Sequence, residues 1–309
     1  MAEIYHIPAM LNETIEGLAI KPNGIYVDVT FGGGGHSRAI LERMRALMIG
    51  GLMIDDLSKG HLFSFDQDKD ALANAIDDKR WTFVHSNFRY LRNWMDYYGV
   101  EQIDGLLADL GVSFHHFDCP ERGFSFRFPA PLDMRMNQTA KRTASDIINS
   151  YSEEELARIF WLYGELKNGR QIAKNICKAR SEKAIMRTEE LVAASRIPAE
   201  RSKELARLFQ ALRIEVNDEL GALREMLVAA RDLLKPGGRI AILTYHSLED
   251  RLVKNFLRSG NLEGTIEKDF YGNILTPFTL IEKGREASAE EVERNPRSRS
   301  AKLRVAEKR

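Results

Sequence analysis

At 309 residues the chain is long enough for two domains, and its 44% apolar and 29% charged residues are typical of a globular protein and exclude a disordered one. Its 45 basic and 45 acidic side chains cancel, so any affinity for nucleic acid must come from local patches. The two cysteines lack the spacing of a zinc site or a disulfide framework, and without a signal-peptide core or ~18 consecutive apolar residues we expect a cytoplasmic protein with no membrane segment.

A glycine loop directly follows the first predicted strand. Residues 25–31 form a β-branched apolar run, and the four glycines 32–35 follow directly. Ile40 and Leu41 then continue as the buried side of a helix, so the segment predicts a strand, a loop and a helix that open a βαβ unit. Because glycine costs backbone entropy, such a loop indicates a close approach of the backbone to a nucleotide-like ligand at the helix N-terminus.

The glycine loop can be scored against two motifs. The dinucleotide fingerprint G-x-G-x-x-G is incomplete, because Ser37 or Arg38 stands where its third glycine should be. The alternative is an acidic residue followed by alternating glycines, which is typical of methyltransferases that use S-adenosylmethionine. The run DVTFGGG from Asp28 resembles this second motif, with a threonine in place of its first glycine, and it fits better.

Two apolar runs compete to be the second strand, one ending at Asp55 and the other at Asp66. The usual spacing of about 20 residues from the glycines to a ribose-binding acid favours Asp55. A helical stretch from Ala71 follows the second run at once, as a βα unit requires. We therefore choose Asp66 and predict an inserted loop at 47–60.

The fourth strand, 103–109, comes after a short third strand at 81–84. It is nearly all apolar, as expected of a strand that is buried on both faces of a parallel sheet. Its last residue, Asp109, would face the crevice where open α/β sheets bind ligands, with capping of the next loop as the alternative.

After the fourth strand the pattern changes from strands to helices. An aromatic and basic loop, 122–128, precedes apolar stripes at helical spacing, and a fifth strand begins near Arg239. We therefore predict an α/β fold, a Rossmann-like methyltransferase sheet with an inserted all-helical domain between strands four and five. The core would comprise 1–113 and 235–309, and the inserted, mainly helical substrate-recognition domain 114–234.

The last two strands are predicted at 276–281 and 301–306, and a hairpin at that edge of the sheet is typical of methyltransferases. The second run lies within 294–309, where seven Lys and Arg stand against one Glu, a balance of 7 − 1 = +6. This basic patch is a candidate for binding RNA phosphates, with a solvated tail as the alternative. The substrate-binding arginines would be Arg297 and Arg299, supported by Arg122, Arg127 and Arg135.

Nine blocks spread over nearly the whole chain carry a further pattern. They are HIP from His6, TFGGGGHS from Thr30, DQD from Asp66, DLGVS from Asp109, ERGFSF from Glu121, PLDMRM from Pro131, FQALR from Phe209, HSLEDR from His246 and NPRSRS from Asn295. Together they resemble the bacterial 16S ribosomal RNA cytosine-N4 methyltransferase family. The resemblance implies S-adenosylmethionine as methyl donor and, as target, a cytidine amine in the decoding region of 16S ribosomal RNA. Free RNA and RNA within the small ribosomal subunit both stay open as the substrate. We expect no metal ion. The oligomeric state stays open, with a homodimer as one alternative.

The same resemblance implies roles for individual residues. The family has a glutamine in a block after the fourth strand, where this chain has His116, whose charge can depend on pH. The implied cofactor contacts are Gly34, Gly35, His36, Asp66, Phe88, Asp109 and His116.

Methylation of a cytosine amine needs a hydrogen-bond acceptor, because the nitrogen lone pair is shared with the ring. The Asp/Asn/Ser-Pro-Pro-aromatic tetrapeptide of better-known amino methyltransferases is absent, and Asp109 and Ser113 stand in its place. His246 and Ser247 end the fifth strand opposite them. We predict Asp109, His246 and Ser247 as catalytic residues, with helix capping or core packing as the alternative for His246.

A paired base cannot reach a methyl group in the crevice, so we expect the target cytidine to be turned out of its stack. Phe124 and Phe126 are the predicted wall for this base, with packing of the helical domain as the alternative. Two rival functions are a nicotinamide-dependent oxidoreductase and a non-catalytic RNA-binding factor. The incomplete fingerprint argues against the first, and the intact glycine loop and acids argue against the second.

Overall fold

The structure is a computed structural model that describes residues 8–49, 60–111 and 119–309. Its strands are β1 Ile25–Asp28, β2 His61–Asp66, β3 Trp81–His85, β4 Ile103–Asp109, β5 Leu234–Thr244, β6 Glu267–Lys268, β7 Ile274–Leu275, β8 Phe278–Glu286 and β9 Lys302–Lys308. In the same residues the helices are α1 Leu11–Leu18, α2 Gly35–Ile49, α3 Leu91–Tyr97, α4 Ala144–Ser150, α5 Glu153–Leu162, α6 Gly169–Glu182, α7 Thr188–Ser195, α8 Ser202–Asn217, α9 Glu219–Leu233, α10 Ser247–Ser259 and α11 Ala289–Arg294.

The main sheet has the strand order β3-β2-β1-β4-β5-β9-β8. The first five strands along the chain pair in parallel, whereas β9 lies antiparallel between β5 and β8. This arrangement confirms the predicted α/β sheet with an antiparallel pair at one edge. The strand order reverses between β1 and β4, so a ligand crevice is expected at their carboxyl ends.

Alternating side chains of the strands pack into two apolar layers, one on each face of the sheet. On β1, Val27 faces the layer shared with α3, α9 and α10, and Tyr26 faces the layer shared with α1 and α2. Both side chains are at most 1% exposed, because a strand covered by helices on both faces must be apolar throughout. The crevice at the carboxyl ends therefore stands on a rigid scaffold.

Strand β2 ends at Asp66, which confirms the choice between the two apolar runs. The predicted helical stretch after it is a 3₁₀ helix, Lys69–Asn74. Its first turn is capped by Asp68, whose side chain accepts a hydrogen bond from the backbone N–H of Asp70. The predicted loop at 47–60 is wrong at its start, because α2 continues to Ile49, and Asp55 lies outside the described residues.

The chain divides into two compact units, the first of Met1–Gly111 and Gly221–Arg309 and the second of Val112–Leu220. The predicted end of the insertion, at 234, differs from this boundary. Helix α9 belongs instead to the first unit, because its apolar residues Leu223, Met226 and Leu233 are buried in the core of the sheet. The preceding helix ends at Asn217, and Asp218 takes a left-handed conformation there, which separates the two helices that share one apolar stripe in the sequence.

The second unit is helical and has its own apolar core. A capping box of Ser152 and Glu155 begins α5, with a hydrogen bond of 3.1 Å from the Glu155 N–H to the Ser152 hydroxyl. Phe160 and Leu208 are fully buried at the centre of this core. No helix among the described residues has the length and apolar character that crossing a membrane requires.

Candidate active site

The glycine loop is held in place by the acid at the end of β2. The Gly32 N–H donates to Asp66 Oδ2 at 2.8 Å, and the Asn74 amide donates to the Gly32 carbonyl at 3.1 Å. Gly32 has a φ of +50°, and apart from its chain neighbours no atom of the described residues lies within 4 Å of the position of a Cβ there, so these residues leave the space beside it open. Gly34 also has a positive φ, +76°, which favours glycine. The backbone at Gly32 is therefore accessible to a ligand.

Gly35 allows a close contact with Pro8. A Cβ at Gly35 would lie 2.3 Å from Cγ of Pro8, so the absence of a side chain lets the N-terminal segment pack on the first turn of α2. The next residue, His36, is 5% exposed, and its Nε2 has no hydrogen-bond partner among the described residues. Burial lowers the pKa of His36 to about 4, so its imidazole is neutral at pH 7.

Asp66 lies where a ribose-binding acid is expected. Its two carboxylate oxygens accept hydrogen bonds of 2.8 Å from the backbone N–H groups of Gly32 and Asp68. Because Asp66 is only partly buried and adjoins the open space at Gly32, it can accept hydrogen bonds from a ribose diol.

A buried polar network lies beneath the loop, and sequence reasoning missed it. Asp28 is fully buried and accepts hydrogen bonds from the Ser37 hydroxyl at 2.6 Å and from the Thr30 N–H at 3.0 Å. Burial raises the pKa of Asp28 to about 6. Thr30 in turn accepts a 2.6 Å hydrogen bond from the N–H of Asp109. The threonine in place of the motif's glycine therefore joins the ends of β1 and β4.

Asp109 ends β4 with 22% of its side chain exposed. The Tyr245 hydroxyl donates to its Oδ1 at 2.6 Å, whereas Oδ2 lies 3.6 Å from Nδ1 of His36, beyond hydrogen-bond distance. Burial raises the pKa of Asp109 to about 7, and the hydrogen bond from Tyr245 opposes the rise. The carboxylate is thus held through one oxygen, and the other can accept a proton near neutral pH.

Tyr245 is the site residue to which sequence reasoning gave no catalytic role. Burial and the neighbouring Asp109 raise its pKa well above the usual value of 10, so the hydroxyl keeps its proton. It follows β5 directly, which is the same signal that singled out Asp109 at the end of β4. A reading of all strand ends would have found it.

His246 is the N-cap of α10, so the capping alternative is confirmed. Its Nδ1 accepts a hydrogen bond from the Glu249 N–H at 3.4 Å, and its Nε2 lies 3.1 Å from Glu249 Oε1. Glu249 also accepts hydrogen bonds from the backbone N–H groups of Tyr245 and His246. Both ring nitrogens therefore face the cap of α10, which argues against the catalytic role. Ser247 is exposed in the first turn of the same helix.

The other predicted site residues divide between the two units. Phe88 begins a 3₁₀ turn and packs against the core of the sheet. Phe124 is 4% exposed in the core of the helical unit, so it cannot present a ring face to a base, and we reassign it to packing. Phe126 is partly buried, with its ring edge-on to that of Phe209 at a centroid distance of 5.7 Å. His116, like Ser113, lies outside the described residues.

The basic patch is largely occupied by contacts within the chain. Arg304 binds Asp250 at 2.8 Å, and Lys302 binds Glu286 at 3.0 Å. The predicted strand is real, because these residues form β9, and the solvated-tail alternative is therefore wrong there. Arg297 and Arg299 are exposed in the 3₁₀ turn Pro296–Ser300.

Arg122 and Arg135, two of the arginines predicted to support RNA binding, also have partners within the chain. The guanidinium of Arg122 is buried and donates to the backbone carbonyls of Arg135 and Met136. Arg135 forms an ion pair with Asp133 at 2.7 Å. Neither side chain is therefore set up primarily to bind phosphate, although Arg127 is exposed.

The residues at the carboxyl ends of β1, β2 and β4 fit S-adenosylmethionine. The open space at Gly32 and the adjoining carboxylate of Asp66 suit the ribose of the nucleoside, and Asp109 lies at the end of the neighbouring strand β4. The donor supplies a methyl group on a positively charged sulfur. An acidic, partly exposed side chain beside the crevice is compatible with that charge.

Comparison with known proteins gives one consistent result. The model of the MraW methylase family matches residues 3–309. A protein from Phocaeicola vulgatus named ribosomal RNA small subunit methyltransferase H is 58% identical over 311 residues, which cover 99% of this chain and 98% of that protein. A protein of the same name from Bacteroides thetaiotaomicron is 56% identical, covering 98% of this chain and 97% of that protein.

Among solved structures, a putative rRNA methylase from Clostridium thermocellum covers 98% of this chain and 100% of its own, with 14% identity and a TM-score of 0.43. That similarity is too low to inform the function. The family match over nearly the whole chain and the identity above 50% decide the assignment. This chain therefore belongs to the MraW methylase family and is a methyltransferase that uses S-adenosylmethionine.

Proposed function

We propose that this protein transfers a methyl group from S-adenosylmethionine to the exocyclic N4 amine of a cytidine in the decoding region of 16S ribosomal RNA. The observation that carries the proposal is the identity above 50% with relatives named ribosomal RNA small subunit methyltransferase H. The partly exposed Asp109, at the end of β4, supports an amine as the target, because an amine must lose a proton during methylation.

Asp109 has the chemistry that this reaction needs. The amine nitrogen forms a bond to the methyl carbon while the bond from that carbon to sulfur breaks, and sulfur keeps the electron pair. The nitrogen then carries one proton too many. Oδ2 of Asp109 can accept that proton, because Oδ1 is already bound to the Tyr245 hydroxyl at 2.6 Å. A hydrogen bond from the amine to Oδ2 before the transfer also draws the nitrogen lone pair out of conjugation.

The proposed function is tested by nucleoside analysis of small-subunit RNA from cells with and without the gene. We expect N4-methylated cytidine to fall when the gene is absent and to return with the wild-type gene. Purified protein with labelled S-adenosylmethionine should place the label on one cytidine of small ribosomal subunits. Label on another nucleoside, or no label on small subunits and free RNA alike, would contradict the proposal.

Asp66→Ala should weaken S-adenosylmethionine binding by ~1–3 kcal/mol, because a ribose hydroxyl then loses its acceptor. Asp66→Asn should lose less, since its amide oxygen still accepts one hydrogen bond. Calorimetric titration measures both. The control is Asp77→Ala, an exposed carboxylate near the amino end of β3. An equal loss in the control, or a larger loss for Asp55→Ala, would show that Asp66 is not the ribose-binding acid.

Neutralising Arg297 and Arg299 to glutamine should flatten the dependence of RNA affinity on salt by roughly one to two units. Both side chains are exposed in the turn before β9, where phosphates can approach them. Filter binding at several salt concentrations measures the slope. An unchanged slope would remove this turn from the RNA-binding surface. Arg43→Gln with Lys79→Gln, both exposed, is the charge-matched control.

A further inference from the structure

A second surface of the first unit has the chemistry of an RNA-binding site. It consists of the exposed residues of α10 and of the hairpin that β6 and β7 form. We propose that this surface binds single-stranded RNA beside the target nucleotide, through phosphates on the helix and through bases on the tip of the hairpin. The inference rests on the proposed function, because it requires an RNA substrate.

Helix α10 carries its cations on one side. Ser247, Arg251, Lys254 and Arg258 are exposed and are separated by four, three and four residues, which places them in one row. The opposite side, with Val253 and Phe256, is fully buried in the core of the sheet. The row therefore faces solvent.

The row starts at the candidate active site. Ser247 is two residues beyond Tyr245, whose hydroxyl binds Asp109. At a rise of about 1.5 Å per residue, Arg258 lies roughly 16 Å farther along the helix. Neighbouring cations in such a row have Cβ atoms about 5–6 Å apart. A strand whose target base enters the crevice can therefore lay its next phosphates along the helix.

Two cations of the row, Lys254 and Arg258, are not neutralised by the acids of their own helix. Lys254 and Arg258 form no ion pair with any residue in the described part of the chain. Asp250 is bound by Arg304, and Glu249 is buried in the cap of α10. The positive charge on this side is thus available to a polyanion, although the whole chain has a net charge of zero.

The hairpin after α10 ends in two exposed aromatic rings. Phe270 is 98% exposed and Tyr271 is 85% exposed, with their rings edge-on at a centroid distance of 5.7 Å. Asp269 holds the turn that presents them, because its carboxylate accepts hydrogen bonds of 2.9 and 2.8 Å from the N–H groups of Tyr271 and Asn273. Exposing two rings costs solubility, and nucleic-acid bases are the planar groups that would cover them.

The base of the hairpin is fastened to the end of α10, so the rings and the cations belong to one surface. The Thr265 N–H donates to the side chain of Asn261 at 3.1 Å, and the Asn261 amide donates to the Thr265 carbonyl at 2.9 Å. Pro277, at the other end of the hairpin, lies against Gly260. A row of cations followed by exposed rings matches the phosphates and bases of one strand, because cations bind phosphates and bases stack on aromatic rings.

Two double variants test the surface. Lys254→Gln with Arg258→Gln should flatten the dependence of affinity on salt by about one to two units for a single-stranded RNA that contains the target cytidine. Phe270→Ala with Tyr271→Ala should weaken binding of the same RNA about tenfold or more at constant salt, without changing the slope. The charge-matched control, Arg43→Gln with Lys79→Gln, removes two exposed cations near the amino ends of the strands and should bind like the wild type.

Melting temperature and S-adenosylmethionine affinity should stay at the wild-type values in all three variants, because every substituted side chain is exposed. Wild-type RNA affinity and salt slope in both surface variants would overturn the inference, and would leave a protein partner as the use of this surface. Methylation by the wild type is measured in parallel. Its absence would overturn the proposed function, whereas methylation together with unchanged variant binding overturns the inference alone.

Discussion

Asp109→Asn should lower the rate of methyl transfer by ~10²–10⁴-fold, the usual contribution of a proton-accepting side chain. Asparagine can still accept the hydrogen bond from Tyr245, so the pair at the end of β4 keeps its shape. Its amide nitrogen, however, would point a donor at the substrate amine and could accept no proton. Single-turnover kinetics at saturating RNA and S-adenosylmethionine measure the effect. A loss of less than threefold would exclude Asp109 as the acceptor.

The pH dependence gives an independent check. Because Asp109 must be ionised to accept a proton and its pKa is raised to about 7, the wild-type rate should rise through pH 7 and level off above it. Because the pKa of Asp109 is higher in the folded than in the unfolded state, protonated Asp109 stabilises the fold. This contribution is complete below pH 3.8, the unfolded pKa, and is lost as pH rises through about 7. At pH 8 the asparagine variant should therefore be at least as stable as the wild type.

Tyr245→Phe separates positioning from proton transfer. The Tyr245 hydroxyl lowers the pKa of Asp109, so its removal should move the midpoint of the pH–rate profile above the wild-type value. The rate at high pH should fall less than in Asp109→Asn, because the carboxylate is still present. A merely structural tyrosine would lower the melting temperature and leave the midpoint unchanged.

Phe124→Ala should lower the free energy of unfolding by ~3–5 kcal/mol, the cost of a large cavity in an apolar core. The ring is 4% exposed and lies among the buried side chains of the helical unit. Urea denaturation followed by circular dichroism measures the change. An unchanged free energy of unfolding together with weaker RNA binding would restore the base-stacking role and contradict the packing assignment.

Phe126→Ala is the matched comparison, because this ring is only partly buried against Phe209. A smaller loss of stability is expected, since less apolar area is removed from contact. If Phe126 also forms a wall for the turned-out base, RNA affinity or turnover should fall by more than the loss of stability explains. A stable and fully active variant would exclude both roles.

The sequence by itself determined the elements that depend on local pattern. A β-branched run followed by four glycines predicts β1, the loop and α2. An apolar run followed at once by a helical stretch predicts that β2 ends at Asp66. Asp109 could be singled out because parallel strands bring their carboxyl ends to one edge of the sheet. The glycine loop already favoured S-adenosylmethionine as the ligand, and the family blocks added the ribosomal RNA substrate.

The tertiary structure decided what depends on residues far apart in the sequence. Only packing shows that Tyr245 reaches Asp109 and that Asp28 is buried beneath the loop. A charge count along the chain likewise cannot show that Arg304 finds its partner in Asp250 when β9 inserts beside β5. Hydrogen bonds, ion pairs and burial join residues 54 to 136 positions apart in these pairs, and distances of that kind are set by the folded sheet.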